Sequence, residues 1–180
     1  MVDKRPTPIT RSPIERMFEE THGLVFRTAY RITGNAADAE DVLQQVFLRL
    51  LRRSSSAEPL ENQESYLRRS AINLSIDAIR KRQDAQSVPL DDAPELFAPG
   101  DQVEGDLRDS LRLALATLTP RAAEVFALRH FEGYKNQEIA GMLGVSQVQI
   151  AVLLFRTRKQ LQKEMERLST AKPHRSGARQ

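Results

Sequence analysis

Three helical segments separated by short turns, lying between Leu118 and Leu161, constrain the fold more than any other part of the chain. Thr119-Pro120 opens the first, a capping hydroxyl followed by a proline whose missing N–H would have had no partner in the first turn anyway. This helix is expected to run to about Phe131, with Ala123, Phe126, Ala127 and His130 at helical spacing. Glu132-Gly133 then stops it, because glycine adopts a left-handed cap without steric cost. A second, short helix covers residues 137–143, with Ile139, Ala140 and Leu143 on one face, and Gly144 ends it. Ser146-x-x-Gln149 is a capping box, so a third helix starts at Ser146. Along it Ile150, Leu154, Thr157 and Leu161 recur at helical intervals and form the buried stripe. Gln147, Gln149, Val152, Leu153, Arg156 and Lys159 are left facing outward. Two helices joined by a tight glycine turn, the second capped and polar on its outer side, follow the helix-turn-helix plan. By pattern alone, DNA binding and simple helix packing both remain open.

Composition removes several function classes. The chain of 180 residues is long enough for one domain or two small ones, and its 6% aromatic content favours helical packing by Leu, Ile, Val and Ala. No cysteine occurs, which excludes a disulfide framework, a zinc ribbon or a thiol nucleophile. His22, His130 and His174 are scattered, without the pairing a metal site needs, so no metal and no cofactor are expected. No phosphate-cradling glycine loop and no Ser/His/Asp order stands out, and enzyme is the weakest hypothesis. Without an apolar run after Lys4 and Arg5, or a long uncharged stretch elsewhere, no membrane insertion is expected and the cytoplasm is the default compartment.

Residues 1–12 carry Pro6, Pro8 and hydroxyl side chains, a composition that does not order without a partner. Order begins at Ser12-Pro13, and residues 14–33 read as helix with a break near Gly23, closed by Gly34-Asn35. The next helix is the cleanest: Ala39, Val42, Leu43, Val46, Phe47, Leu50 and Leu51 fall on one face, with Asp38, Asp41, Gln44, Gln45 and Arg49 opposite. Spacing alone makes Asp41 and Gln44 ordinary solvated residues. The hydroxyl run at Ser54 and the proline at Pro59 break it. A helix over residues 63–82 follows with two apolar stripes, Leu67, Ala71, Leu74, Ala78 and Ile72, Ile76, Ile79, so most of its circumference should be buried. From Asp84 to Asp106 the chain is acidic and interrupted by Pro89, Pro94, Pro99 and Gly100, with no Lys or Arg, which reads as a linker. Residues 107–118 then form a helix with Leu107, Leu111, Leu115 and Leu118 on one side, and residues 169–180 form a basic tail.

Pro120-Arg121-x-x-Glu124-Val125-Phe126-x-Leu128-Arg129-x-Phe131-x-Gly133, then Glu138-Ile139-Ala140-x-x-Leu143-Gly144-Val145-Ser146, then Arg156-x-Arg158-Lys159-x-Leu161, closely resembles region 4 of extracytoplasmic-function sigma factors. Ala29-Tyr30-Arg31-Ile32-Thr33-Gly34, then Asp38-Ala39-Glu40-Asp41-x-x-Gln44-x-x-Phe47-Leu48-Arg49, then Tyr66-Leu67-x-Arg69-x-Ala71-x-Asn73-Leu74-x-Ile76-Asp77-x-Ile79-Arg80, is similar to sigma region 2. The resemblance implies an all-α fold of two small helical domains, region 2 over 13–83 and the region 4 helix-turn-helix over 107–168, joined by a flexible acidic linker at 84–106.

It also implies a division of labour. Asp38, Asp41, Gln44 and Gln45 would bind core RNA polymerase, and Asn62, Arg69, Asn73 and Arg80 the minus-10 element of promoter DNA. The loop from Ser54 to Asn62 would capture a flipped base, while Asp77 could instead pair with Arg80 or Lys81 inside the fold. Gln147, Gln149, Val152, Leu153, Arg156 and Lys159 would face the minus-35 element. The linker would thread the polymerase's RNA channel, and an anti-sigma factor is a further candidate partner.

Two departures stand out: Ala151, Val152 and Leu153 occupy places where the family commonly has basic or hydroxyl residues, and Lys135 stands where a serine cap is common. The first lowers the expected salt dependence and shifts readout toward shape and methyl groups, or turns this face toward protein. A stand-alone helix-turn-helix regulator, dimeric on paired half-sites, is the rival reading.

Overall fold

The protein is described here from a computed structural model covering residues 12–54, 62–86 and 102–171, with backbone alone at residues 54, 86, 102–104, 106 and 171. Among the described residues the order is α1 (Pro13–Thr33), α2 (Ala36–Ser54), α3 (Gln63–Gln86), α4 (Gln102–Ala116), α5 (Pro120–His130), α6 (Asn136–Leu143) and α7 (Gln147–Ala171), with no strand. The all-α expectation holds. The loop at 55–61, most of the linker and most of the basic tail lie outside the described residues.

Local side-chain caps start α1 and α2. The Ser12 hydroxyl accepts from the Glu15 N–H at 3.2 Å, and the Glu15 carboxylate accepts from the Ser12 N–H at 2.9 Å, so two orphan donors of α1 are satisfied together. Asn35 caps α2 through the Asp38 N–H at 3.1 Å. The turn between α1 and α2 favours glycine through its backbone conformation. Gly34 has φ +68°, and a Cβ there would lie 2.0 Å from the guanidinium of Arg112.

Three boundaries differ from expectation. α1 runs unbroken through Gly23: glycine costs about 1 kcal/mol in a helix interior, and burial of Val25, Ala29 and Ile32 along the same helix outweighs that. α3 continues to Gln86 and α4 begins at Gln102, so helix enters both ends of the acidic stretch at 84–106. Leu107, expected on the buried side of α4, is exposed, whereas Leu115 and Leu118 are buried.

Two hydrophobic cores result, and α3 belongs to both. Its stripe Leu67, Ala71, Leu74 packs with Val25 and Ala29 of α1 and Val42, Val46 and Phe47 of α2. Its second stripe, Ile72, Ile76 and Ile79, joins the core of α4 to α7, together with Ile32 from α1. The double patterning of this helix therefore has a concrete cause: one side closes the amino-terminal bundle and the other is covered by the carboxy-terminal bundle. Within the latter, α5 is the central element, with every residue from Ala122 to Leu128 buried.

Between the stripes of α3 lies Ser75, fully buried, whose hydroxyl has no hydrogen-bond partner. A buried hydroxyl left unpaired costs free energy that an alanine does not. Ser75→Ala should therefore raise stability by about 1 kcal/mol, seen as a higher urea midpoint at unchanged slope. A lower midpoint would show that the hydroxyl is satisfied.

Candidate nucleic-acid interface

The helix-turn-helix is built as its sequence dictates. Gly144 takes the left-handed conformation at φ +63°, and its N–H donates to the carbonyl of Ala140, ending α6. The Ser146 hydroxyl accepts from the Gln149 N–H at 3.2 Å, and the Gln149 side-chain oxygen accepts from the Ser146 N–H at 2.9 Å, opening α7. The two helices are bent by 108° at this turn, within the range that lets the second of them project from the domain. Ile150, Leu154, Thr157 and Leu161 are all buried, as their spacing predicts.

The outward face differs in two places from the one the sequence suggests. Leu153 is half-buried and packs against the core. Gln149 is exposed, but its side-chain oxygen is committed to the cap. Gln147, Val152, Arg156 and Lys159 remain exposed, and Lys159 lies with its ammonium 4.8 Å from the Phe155 ring centroid. Sequence reasoning passed over Val148, which at 70% exposed is the most solvent-accessible large apolar residue among the described residues. A signal for it existed: Val148, Val152, Phe155 and Lys159 repeat the intervals of the buried stripe, two positions earlier, and so trace the opposite side of the helix.

The residues assigned to polymerase cluster on α2. Asp38, Asp41 and Gln45 line an open groove of about 320 Å³ between α2 and α3, along with Arg49, Asp77, Lys81 and Arg82. Arg82 reaches Asp38 at 3.4 Å across it. Gln44 is exposed but does not line the groove. Asp77 pairs with Arg80 at 3.2 Å, the internal role left open by the sequence.

The residues assigned to the minus-10 element are placed otherwise than as a free strip. Asn62 is the N-cap of α3, its side-chain oxygen accepting from the Ser65 N–H at 2.8 Å. Arg69 donates to Glu124 of α5 at 2.7 Å and to the Met142 carbonyl at 3.2 Å, and Asn73 donates to the same Glu124 oxygen at 3.4 Å. Arg80 donates to the carbonyls of Ala116 and Leu118 at 3.1 and 2.7 Å. All three of these α3 side chains thus face the carboxy-terminal bundle, and Arg68 does too, donating to Glu132, which also pairs with Arg31 at 3.0 Å. Glu124 is 4% exposed, and a carboxylate buried to that extent requires paired cations.

Burial works against the Arg68 charge, but the hydrogen bonds it donates to Glu64 and the nearby Tyr134, Glu132 and Glu64 outweigh it, so its pKa is raised. Burial, with Arg158 and Arg129 close by, pushes His130 below its ordinary value. Burial likewise pushes the Tyr134 phenol up.

Two compact helical bundles, the second ending in a capped helix-turn-helix, define a DNA-binding protein of the two-module, all-α kind. Comparison with known families agrees. The family model for Sigma-70 region 2 matches residues 17–85, and that for Sigma-70, region 4, matches residues 108–161. The chain is 31% identical to the RNA polymerase sigma-E factor of Streptomyces coelicolor, over 78% of this chain and 79% of that one. It is 33% identical to the ECF RNA polymerase sigma factor SigE of Mycolicibacterium smegmatis, over 76% of this chain but only 55% of the relative's length. Among solved structures, CnrH in complex with the cytosolic domain of CnrY shares the fold with a TM-score of 0.52 at 21% identity, covering 85% of this chain and 87% of that one. The chain belongs to the extracytoplasmic-function group of the sigma-70 family.

The Lys135 departure has a local consequence. Lys135 precedes α6 with no side-chain cap, although the Glu138 carboxylate accepts from its N–H at 2.6 Å. Lys135→Ser supplies the missing acceptor and should raise the melting temperature by an amount corresponding to about 1 kcal/mol. An unchanged or lower value would mean that the turn holds its geometry without it.

Proposed function

We propose that this chain acts as a promoter-recognising sigma factor, binding core RNA polymerase through α2 and reading minus-10 and minus-35 DNA through the α3 region and α7. The observation that carries this reading is the pairing, in order along one chain, of a region 2 bundle with a region 4 helix-turn-helix whose recognition helix is capped and outward-facing. We take the region 2 domain as 13–83 and the region 4 domain as 107–168, with the acidic stretch at 84–106 as the tether that passes through the polymerase. The role is one of binding and positioning rather than catalysis, and its place of action is the cytoplasm, where the polymerase works. No single described helix is long and apolar enough to cross a membrane.

The proposed contacts follow from the chemistry of each face. Asp38, Asp41 and Gln45 offer carboxylates and an amide at a groove, with Gln44 beside it, suited to a charged helical partner. On α7, Gln147 and Arg156 carry the hydrogen-bonding capacity for base edges and phosphates, Lys159 adds positive charge, and Val148 and Val152 suit thymine methyl groups. Gln149 contributes mainly as the cap. The exposed Val148, Val152 and Phe155 also suit a protein partner, and an anti-sigma factor covering α7 is the second reading they favour.

Run-off transcription with purified bacterial core polymerase tests the proposal. Promoter-dependent transcripts only in the presence of this protein support it, and duplex binding without transcription supports a stand-alone regulator instead. In the same system Asp41→Ala should weaken core binding about tenfold, the effect of losing one well-placed charged contact. Arg156→Ala should spare core binding and cost about 1–3 kcal/mol in promoter affinity. Equal losses of core binding in both variants would contradict the separation of roles.

A further inference from the structure

The contacts proposed for DNA use one flank of α7, but basic side chains stand on both. Arg156 and Arg158 are two positions apart, about 200° around the helix. With Ile150, Leu154, Thr157 and Leu161 buried, the two guanidinium groups leave opposite edges of the exposed arc. α5 packs against α7, and His130 stands exposed in its last turn. The imidazole lies against Phe126 with ring centroids 4.4 Å apart, and Arg158 of α7 and Arg129 of its own helix are close enough to act on its charge. Arg129 is committed to the Tyr134 carbonyl at 3.1 Å, whereas His130 and Arg158 have no partner among the described residues. No carboxylate acts on the imidazole. The acids of the neighbouring elements are engaged elsewhere: Glu132 holds Arg31 and Arg68, Glu124 holds Arg69 of α3, and Glu138 of α6 accepts from the Lys135 N–H. Cations gathered without an anion disfavour protonation of the imidazole, the direction found for His130, and an anion placed between them reverses that sign.

We propose that His130 and Arg158 form a phosphate site on this second flank, where a duplex seated on the outer face of α7 delivers one backbone phosphate to an imidazolium and a guanidinium together. The inference rests on reading α7 as the DNA-facing helix. A helix lying in the major groove has a phosphate backbone along each flank, so the face that carries Arg156 toward one strand carries Arg158 and His130 toward the other. The second flank differs from the first in being linked to a proton. His130, pushed below its ordinary value, is mainly neutral in the free chain near about pH 7.5 and takes up a proton as the phosphate arrives. A group whose pKa is higher in the bound state than in the free state makes affinity rise as pH falls toward the free value. Arg156, always charged, gives its flank no such dependence.

Phosphate contacts carry no sequence information, so the full-length chain and a mixed-sequence duplex of about 20 base pairs at low salt provide the test. Fluorescence anisotropy should show affinity rising roughly fivefold between about pH 7.5 and about pH 5.5, and His130→Gln should remove most of that rise. Arg158→Ala should lower the slope of log affinity against log salt by about one, as the loss of one phosphate contact requires. By nuclear magnetic resonance, the imidazole titration of His130 should move to higher pH when duplex is added, while that of His22 on α1 stays in place. Inorganic phosphate at the same phosphate concentration should not reproduce the shift. A pH dependence that survives His130→Gln, an unmoved His130 titration, or an equal shift with inorganic phosphate overturns the proposal. Arg156→Ala separates the two ways in which it can fail. If neither arginine variant changes the salt slope, the failure lies in the assignment of α7 to DNA. If Arg156→Ala lowers it and Arg158→Ala does not, that assignment stands and the second flank is excluded.

Discussion

The structure depends on one helix being apolar on two sides. Leu67, Ala71 and Leu74 of α3 close the amino-terminal bundle, and Ile72, Ile76 and Ile79 are covered by the carboxy-terminal one. A helix with a single apolar stripe would leave the second bundle tethered only by the chain. With two stripes, α3 fixes where α5 lies, and α5 in turn supports α6 and α7. The polar seam follows from this placement. Once α5 is docked, Glu124 and Glu132 are buried, and the guanidinium groups of Arg68, Arg69 and Arg31 stand where their charges must be met.

Much of the architecture was legible because it rests on local signals. The serine and threonine positions that start α1, α5 and α7 and the glycines that stop α1 and α6 act within a few residues, and capping bonds at Ser12, Thr119 and Ser146 are present. The buried stripe of α7 is likewise a matter of period alone. Even the unusual α3 announced itself, since two stripes on one helix demand two neighbours. What periodicity does not contain is the identity of the second neighbour. Arg69 and Glu124 are separated by 55 residues, and no local rule links them.

The same limit explains why the partners of the site residues were not foreseen. Asn73 and Arg80 look like free polar residues on a helix, yet their partners come from α5 and from the turn after α4. Leu153 sits near the edge of the outward arc of α7 and turns inward because the carboxy-terminal core reaches that far around the helix. Val148 went unremarked in the sequence, although its register places it beside Val152 on the exposed side of the helix. The result is a recognition helix whose outer face begins apolar and becomes basic only toward Arg156 and Lys159. On the proposed reading of DNA by this face, shape and methyl contacts would carry more of the discrimination and counterion release less.

The most direct test of the two-sided role of α3 is methyl nuclear magnetic resonance on the free, full-length chain with labelled isoleucine, leucine and valine. The account predicts through-space contacts from the Ile72, Ile76 and Ile79 methyls to those of Leu115, Leu118 and Val125, alongside contacts of Leu67 with Val42 and Val46. Isoleucine methyls that show solvent-like shifts and no contact with α4 or α5 would contradict it.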